Sequence, residues 1–226
     1  MLRTLDDARF WNRIARKYAS DTIKDMPGYE RTVERTRHVL KSTDTVLEIG
    51  CGTGTTALKL APCVSQITAS DVSSEMIAIA REKALSQSRH NAEFTVGNAE
   101  RIEGAEGAYD VVLAFNLLHL VADRPLTLAN IRRQLRPGGL FISKTPCLSE
   151  MNPLIRLAVP CMRFIGKAPF VSFFSAPALE AEIAAAGFAI NERERHGSGR
   201  KDPRIFIVAR KPDAVCPSPV ARQGVE

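Results

Sequence analysis

From residue 44 to residue 145, short apolar runs alternate with longer amphipathic stretches. The spacing predicts strands at 44–49, 66–70, 92–97, 109–115 and 139–145, and helices at 54–61, 74–87 and 125–136. Strands separated by helices imply a parallel sheet with both faces covered. Arg136-Pro137-Gly138-Gly139 carries the turn chemistry that stops a helix and opens the strand after it. Two helices precede this α/β unit. Phe10, Ile14 and Tyr18 recur every four residues beside Trp11 and Ala15, and Tyr29, Val33, Thr36 and Leu40 mark the apolar face of the second. Residues 1–43 are therefore predicted to form an N-terminal helical cap on a domain spanning 44–211.

The rhythm changes after the fifth strand. Residues 150–173 are apolar but interrupted by Pro153, Pro160 and Pro169, which predicts a broken helical insertion. A helix at 176–186 ends at Gly187, a natural C′ residue. Phe188–Arg195 and Arg204–Arg210 read as two further strands. Residues 212–226, with Pro217 and Pro219 and little to bury, are expected to be a disordered tail.

Composition narrows the class. At 226 residues the chain suits one domain that needs no disulfides. Its five cysteines show neither a CxxC pair nor metal-ligand spacing, so free thiols in a reducing cytoplasm, and no metal, are expected. No charged start precedes an apolar h-region of the signal-peptide kind. The net charge of +6 suggests an anionic partner, but acids such as Glu30, Glu34, Glu192 and Glu194 interleave the bases. Without a basic block or an aromatic-basic alternation, a small-molecule substrate is favoured over nucleic acid. In a helix over 154–167, Arg156, Arg163 and Lys167 would share one narrow stripe with apolar residues around it. Such a face roofs an apolar pocket or rests on a membrane surface, and it is too short, charged and proline-broken to span one.

The candidate chemistry lies in Val46-Leu47-Glu48-Ile49-Gly50-Cys51-Gly52-Thr53-Gly54-Thr55-Thr56. A strand runs through three alternate glycines into a helix, so loop amides and a helix N-terminus face whatever sits above the sheet. This ExGxGxG stretch resembles motif I of the class I S-adenosylmethionine-dependent methyltransferases. Phe10-Trp11-Asn12-Arg13-Ile14-Ala15-Arg16-Lys17-Tyr18 resembles the opening of the ubiquinone/menaquinone-biosynthesis group, with Ala19 in place of its acid. The resemblance covers about residues 8–211. It implies a Rossmann-like, seven-stranded, mostly parallel sheet in the order 3-2-1-4-5-7-6. It also implies S-adenosylmethionine as cofactor and a small-molecule methyl acceptor, which the apolar insertion at 150–173 suggests is hydrophobic.

Site roles follow from these two readings together. Asp71, ending the second strand beside the glycine loop, either accepts from both ribose hydroxyls or caps the next helix, a job Ser73 can do alone. The resemblance implies that Gly50, Cys51 and Gly52 approach the methionyl part and ribose while Gly54 opens the helix. Glu48 orders the loop or meets the amino group through water. Val72 flanks the adenine, with Met76 close behind it. Gly97-Asn98-Ala99-Glu100 resembles the family's GDAE, so Asn98 accepts from the adenine amine in neutral form or serves as a turn residue. Asn116 lines the sulfonium or the acceptor, and His119 is either a general base or packing. Tyr18 and Trp11 form a lid or plain core.

Two other classes compete with a small-molecule methyltransferase. An RNA or protein methyltransferase would predict a basic groove and, for base amines, an Asn/Asp-Pro-Pro-Tyr-like motif where this chain reads Asn116-Leu117-Leu118-His119. A nonenzymatic S-adenosylmethionine-binding scaffold would keep the intact loop. The GxGxG spacing and the lack of a Tyr-x-x-x-Lys pair count against a nicotinamide-dependent oxidoreductase.

Overall fold

The computed structural model describes residues 2–151, 154–164, 168–199 and 202–213. Apolar alternation along the central strands sets the architecture. In β1 (Thr45–Ile49), Val46 joins one buried cluster while Leu47 and Ile49 join another across the sheet. β4 (Tyr109–Phe115) repeats this, with Val111 and Leu113 on the first face and Val112 and Ala114 on the second. Side chains at successive strand positions point to opposite faces, so a strand apolar at every position needs cover on both.

The remaining strands are β2 (Gln66–Asp71), β3 (Ala92–Val96), β5 (Leu135–Pro146), β6 (Ala189–Glu194) and β7 (Arg204–Arg210), and the seven form one sheet in the order β3-β2-β1-β4-β5-β7-β6. β1 to β5 run parallel, whereas β7 is antiparallel to both β5 and β6. This is the Rossmann-like, seven-stranded arrangement that the resemblance implied.

The helices are α1 (Leu2–Ser20), α2 (Met26–Val39), α3 (Thr55–Leu60), α4 (Ser74–Ser86), α5 (Arg124–Gln134), α6 (Leu154–Phe164) and α7 (Ala176–Ala185). Asp25 caps α2 through Gly28 N–H, and Ser73 caps α4 through Met76 N–H. α1 lies along α4, where Ala15 packs with Met76 and Ile79. Asn12 pins the pair, its Oδ1 accepting from Ser73 Oγ at 2.6 Å and from Glu75 N–H at 3.2 Å.

Two boundaries differ from the sequence reading. α5 ends at Gln134, and β5 starts at Leu135, which pairs with Tyr109 before the register jumps to Val111 opposite Leu140. Residue 136 precedes a proline and so disfavours the helical region. Gly138, at φ +73°, then turns the chain within the strand. In the insertion, α6 is described over Leu154–Phe164 and contains Pro160. Lys167, part of the expected basic stripe, lies outside the described residues, as do the side chain of Arg156 and tail residues 214–226. Among the described residues, no helix is long and apolar enough to cross a membrane.

Candidate active site

The C-terminal ends of the parallel strands open into a cavity of about 680 Å³. In an open α/β sheet this edge is where ligands bind. Its floor on the β1–β2 side is the glycine loop. Gly50, Gly52 and Gly54 have φ of +67°, +53° and +72°, values that L side chains rarely adopt. A Cβ on Gly52 would meet only the Tyr18 ring, at 3.8 Å, so bare backbone faces the cavity there.

Asp71 ties the loop to β2. Its Oδ2 accepts from Gly52 N–H and its Oδ1 from Ser73 N–H, both at 2.9 Å. The cap of α4 is the Ser73 hydroxyl, so Asp71 is free of that task. Burial holds its pKa above the usual carboxylate value, against the hydrogen bonds from Ser73, Gly52 and Val72. Glu48 is buried more deeply, at 2% exposure, and burial pushes its pKa to about 8. Its carboxyl accepts from Ala57 N–H, while Oε2 has no partner among the described residues. That is a buried acid lining a cavity with one oxygen unengaged.

Most of the residues singled out from the sequence meet here. Tyr18, Glu48, Gly50, Cys51, Gly52 and Asp71 line the cavity, as do Val72, Met76, Asn98, Ala99 and Asn116. Tyr18 is half exposed, beside the glycine loop, with Trp11 edge-on at 6.2 Å between ring centroids. Asn98 Oδ1 accepts from Glu100 N–H at 2.9 Å, so the side chain closes a turn while bordering the cavity. Asn116 takes a left-handed conformation, φ +52°, and its N–H bonds the Lys144 carbonyl at 2.8 Å.

Two expected members stand elsewhere. Gly54 is the N-cap of α3 and does not line the cavity; a Cβ there would strike the Phe94 ring at 2.6 Å and Ala80 at 2.8 Å. Its glycine serves packing. His119 also lies outside the cavity lining. Its backbone carbonyl accepts from Ser172 N–H, and desolvation lowers the ring's pKa to about 4. Its Nδ1 is buried with no hydrogen-bond partner among the described residues, so the structure does not bring the ring together with the other site residues.

The structure also adds members. Phe115, Leu120, Pro169 and Phe170 give the β4–β5 side an apolar wall, and Lys144 and Arg204 stand at its far end. Of the insertion's described residues, only Pro169 and Phe170 reach the cavity, whereas α6 leaves Leu154 and Met162 exposed. Lys144 carries little signal in the sequence, since a lysine closing an apolar strand reads as an end that meets solvent. Asp110, at the start of β4, is structural: it accepts from Thr45 N–H at 2.7 Å and pairs with Arg136 at 2.6 Å.

Residues 46–139 match the family model described as a methyltransferase domain. That stretch of the chain is a methyltransferase domain. The chain is 27% identical over 191 residues to a demethylmenaquinone methyltransferase of Lactococcus lactis, covering 74% of each chain. It is 29% identical over 153 residues to a ubiquinone biosynthesis O-methyltransferase of Azorhizobium caulinodans, covering 65% of this chain and 59% of that one. Its fold matches that of the YcgJ protein of Bacillus subtilis with a TM-score of 0.67 at 19% identity, over 82% of this chain and all of the other. The cavity fits the family's cofactor. The unengaged Glu48 oxygen suits an ammonium, Asp71 suits a diol, and the Gly52 backbone admits close approach.

Proposed function

We propose that this protein transfers a methyl group from S-adenosylmethionine to a small, apolar acceptor. One observation carries the reading: a single cavity runs from the glycine loop and Asp71 to an apolar wall at Phe115, Leu120 and Phe170. Both reactants therefore have room in one enclosure. The names of the two relatives, which act in menaquinone and ubiquinone chemistry, support an apolar acceptor.

Bound S-adenosylmethionine supplies an electrophilic methyl on a sulfonium, open to in-line displacement by the acceptor. The chain's own contribution is placement and exclusion of water. Asp71 holds the ribose hydroxyls, Glu48 the amino group, and the backbone of Gly50, Cys51 and Gly52 the methionyl arm. Val72, Met76 and Ala99 enclose the adenine, with Asn98 at its edge. Asn116 borders the methyl, and Tyr18 and Trp11 close over the top. In this assignment residues 1–43 are the cap, 44–211 the catalytic domain, and the reducing cytoplasm its compartment.

The test is calorimetric titration with S-adenosylhomocysteine. The wild type should bind with micromolar affinity, and Asp71→Ala should weaken binding about tenfold or more, since hydrogen bonds to a charged group are lost. A folded wild type that shows no binding at millimolar ligand would sink the proposal.

A further inference from the structure

The far end of the cavity holds a cation for which the roles above find no use. Lys144 sits near the C-terminal end of β5, between Phe115 of β4 and Phe206 of β7 in register. Neighbouring strands lie about 4.8 Å apart, which puts β5 roughly 10 Å across the sheet from β1 and its glycine loop. Lys144 is 5% exposed, yet it lines the cavity.

Its ammonium is held by neutral oxygens. Nζ donates to the Thr32 hydroxyl at 2.7 Å and to the Gly28 carbonyl at 3.2 Å, leaving a third N–H. Among the described residues Lys144 forms no ion pair. The two carboxylates that act on it, Asp25 and Asp202, are bonded by Arg204 at 3.0 Å and 2.6 Å. Arg31 also acts on it, from α2, and is occupied by the His196 carbonyl and the Ser198 hydroxyl. Lys144, Arg204 and Arg31 against Asp25 and Asp202 leave one positive charge over. Behind Thr32, His196 bridges to Glu194, a carboxylate near the surface that faces Arg35. Burial brings the pKa of Lys144 down to about 8, with the arginines lowering it further and the carboxylates opposing. Buried charges are stable when paired, and both Lys144 and its hydrogen-bond partner Thr32 line the cavity.

We propose that Lys144 is the specificity-determining residue for the methyl acceptor, binding an ionised oxygen, phenolate or enolate, while the acceptor's apolar body lies against Phe115, Leu120 and Phe170. This rests on the methyl-transfer reading. No bond or proton changes hands at Lys144; its part is recognition. The acceptor is thereby placed in a narrower class than apolar alone, one with an acidic hydroxyl.

The test compares 4-nitrophenolate with 4-nitroanisole, its neutral methyl ether, by calorimetry on the protein saturated with S-adenosylhomocysteine. The wild type should prefer the phenolate by about tenfold or more, the size of one hydrogen bond to a charged group. Lys144→Met should abolish the preference and leave S-adenosylhomocysteine affinity within about twofold, because apolar replacement of a buried charge is often tolerated. Equal binding of the two probes to the wild type, or no binding of either, overturns the inference whatever the variant does. So does a preference that survives in Lys144→Met. Should that variant fail to bind S-adenosylhomocysteine, Lys144→Gln, which keeps a donor but not the charge, replaces it with the same expectation. If the wild type binds no S-adenosylhomocysteine, the methyl-transfer reading has failed. The probe comparison without that ligand then decides the role of Lys144 separately.

Discussion

Glu48 shows how one buried carboxyl can couple ligand binding to pH. Its pKa of about 8 means that it is mostly protonated at neutral pH in the free protein. An ammonium placed against Oε2 favours the ionised form, so binding S-adenosylhomocysteine near pH 7 should release close to one proton. Calorimetry in buffers of different ionisation enthalpy reads this directly, and Glu48→Gln should lose both the proton release and about tenfold in affinity. The same shift governs stability. The folded pKa lies above the ordinary value of 4.5, so folding favours the protonated acid, and the contribution of Glu48 to stability is lost as pH rises from 4.5 to about 8. Urea midpoints across that window should show Glu48→Gln gaining on the wild type. His119 has the opposite sign. With its pKa lowered from 6.5 to about 4, it favours folding when neutral, and that stability is lost as pH falls through this range. His119→Asn should be less acid-sensitive in circular-dichroism melts and should keep kcat/KM within about threefold of wild type, since the ring does not face the cavity.

Elements are the scale at which the sequence was most readable. The glycine loop declared itself because three alternate positive-φ positions leave few residue choices. The cap of α4 was readable too, since Ser73 satisfies Met76 N–H as a serine before a helix should. Gly54 joins backbone and packing demands in one residue. Gly54→Ala should destabilise the protein by ~3 kcal/mol in urea titration, combining left-handed strain with a clash against Phe94 and Ala80. The less readable features depend on partners distant in the chain. Asn12 is an unremarkable polar position in an amphipathic helix until α1 docks on the N-terminus of α4. The start of β5 hides inside a helical pattern, because the pairing of Leu135 with Tyr109 is a tertiary event. His119 illustrates a related difficulty: strand order brings its turn to the correct sheet edge, but its ring stays outside the cavity lining, with Nδ1 buried and without a hydrogen-bond partner among the described residues.

At the scale of the whole molecule, the strand order follows family resemblance rather than spacing, since periodicity alone does not say that β7 enters between β5 and β6. That order assembles the cavity from distant stretches of chain. α1 supplies Trp11 and Tyr18, β1 and β2 supply Glu48 and Asp71, β5 supplies Lys144, and β7 supplies Arg204. The acceptor end could not be read in advance because its residues meet only after the antiparallel pair has closed on β5.

The interior place of β7 has a bearing on synthesis. A chain emerging from the ribosome at about 5–20 residues per second can assemble its early strands first. Until Arg204–Arg210 appears, however, β5 keeps an open edge along most of its length, from Leu140 to Pro146. Arg204, which holds the carboxylates beside Lys144, arrives on that same late strand. A nascent chain could thus cradle the nucleoside while its acceptor chamber was still unfinished, and premature termination would yield a sticky, inactive fragment rather than a promiscuous enzyme.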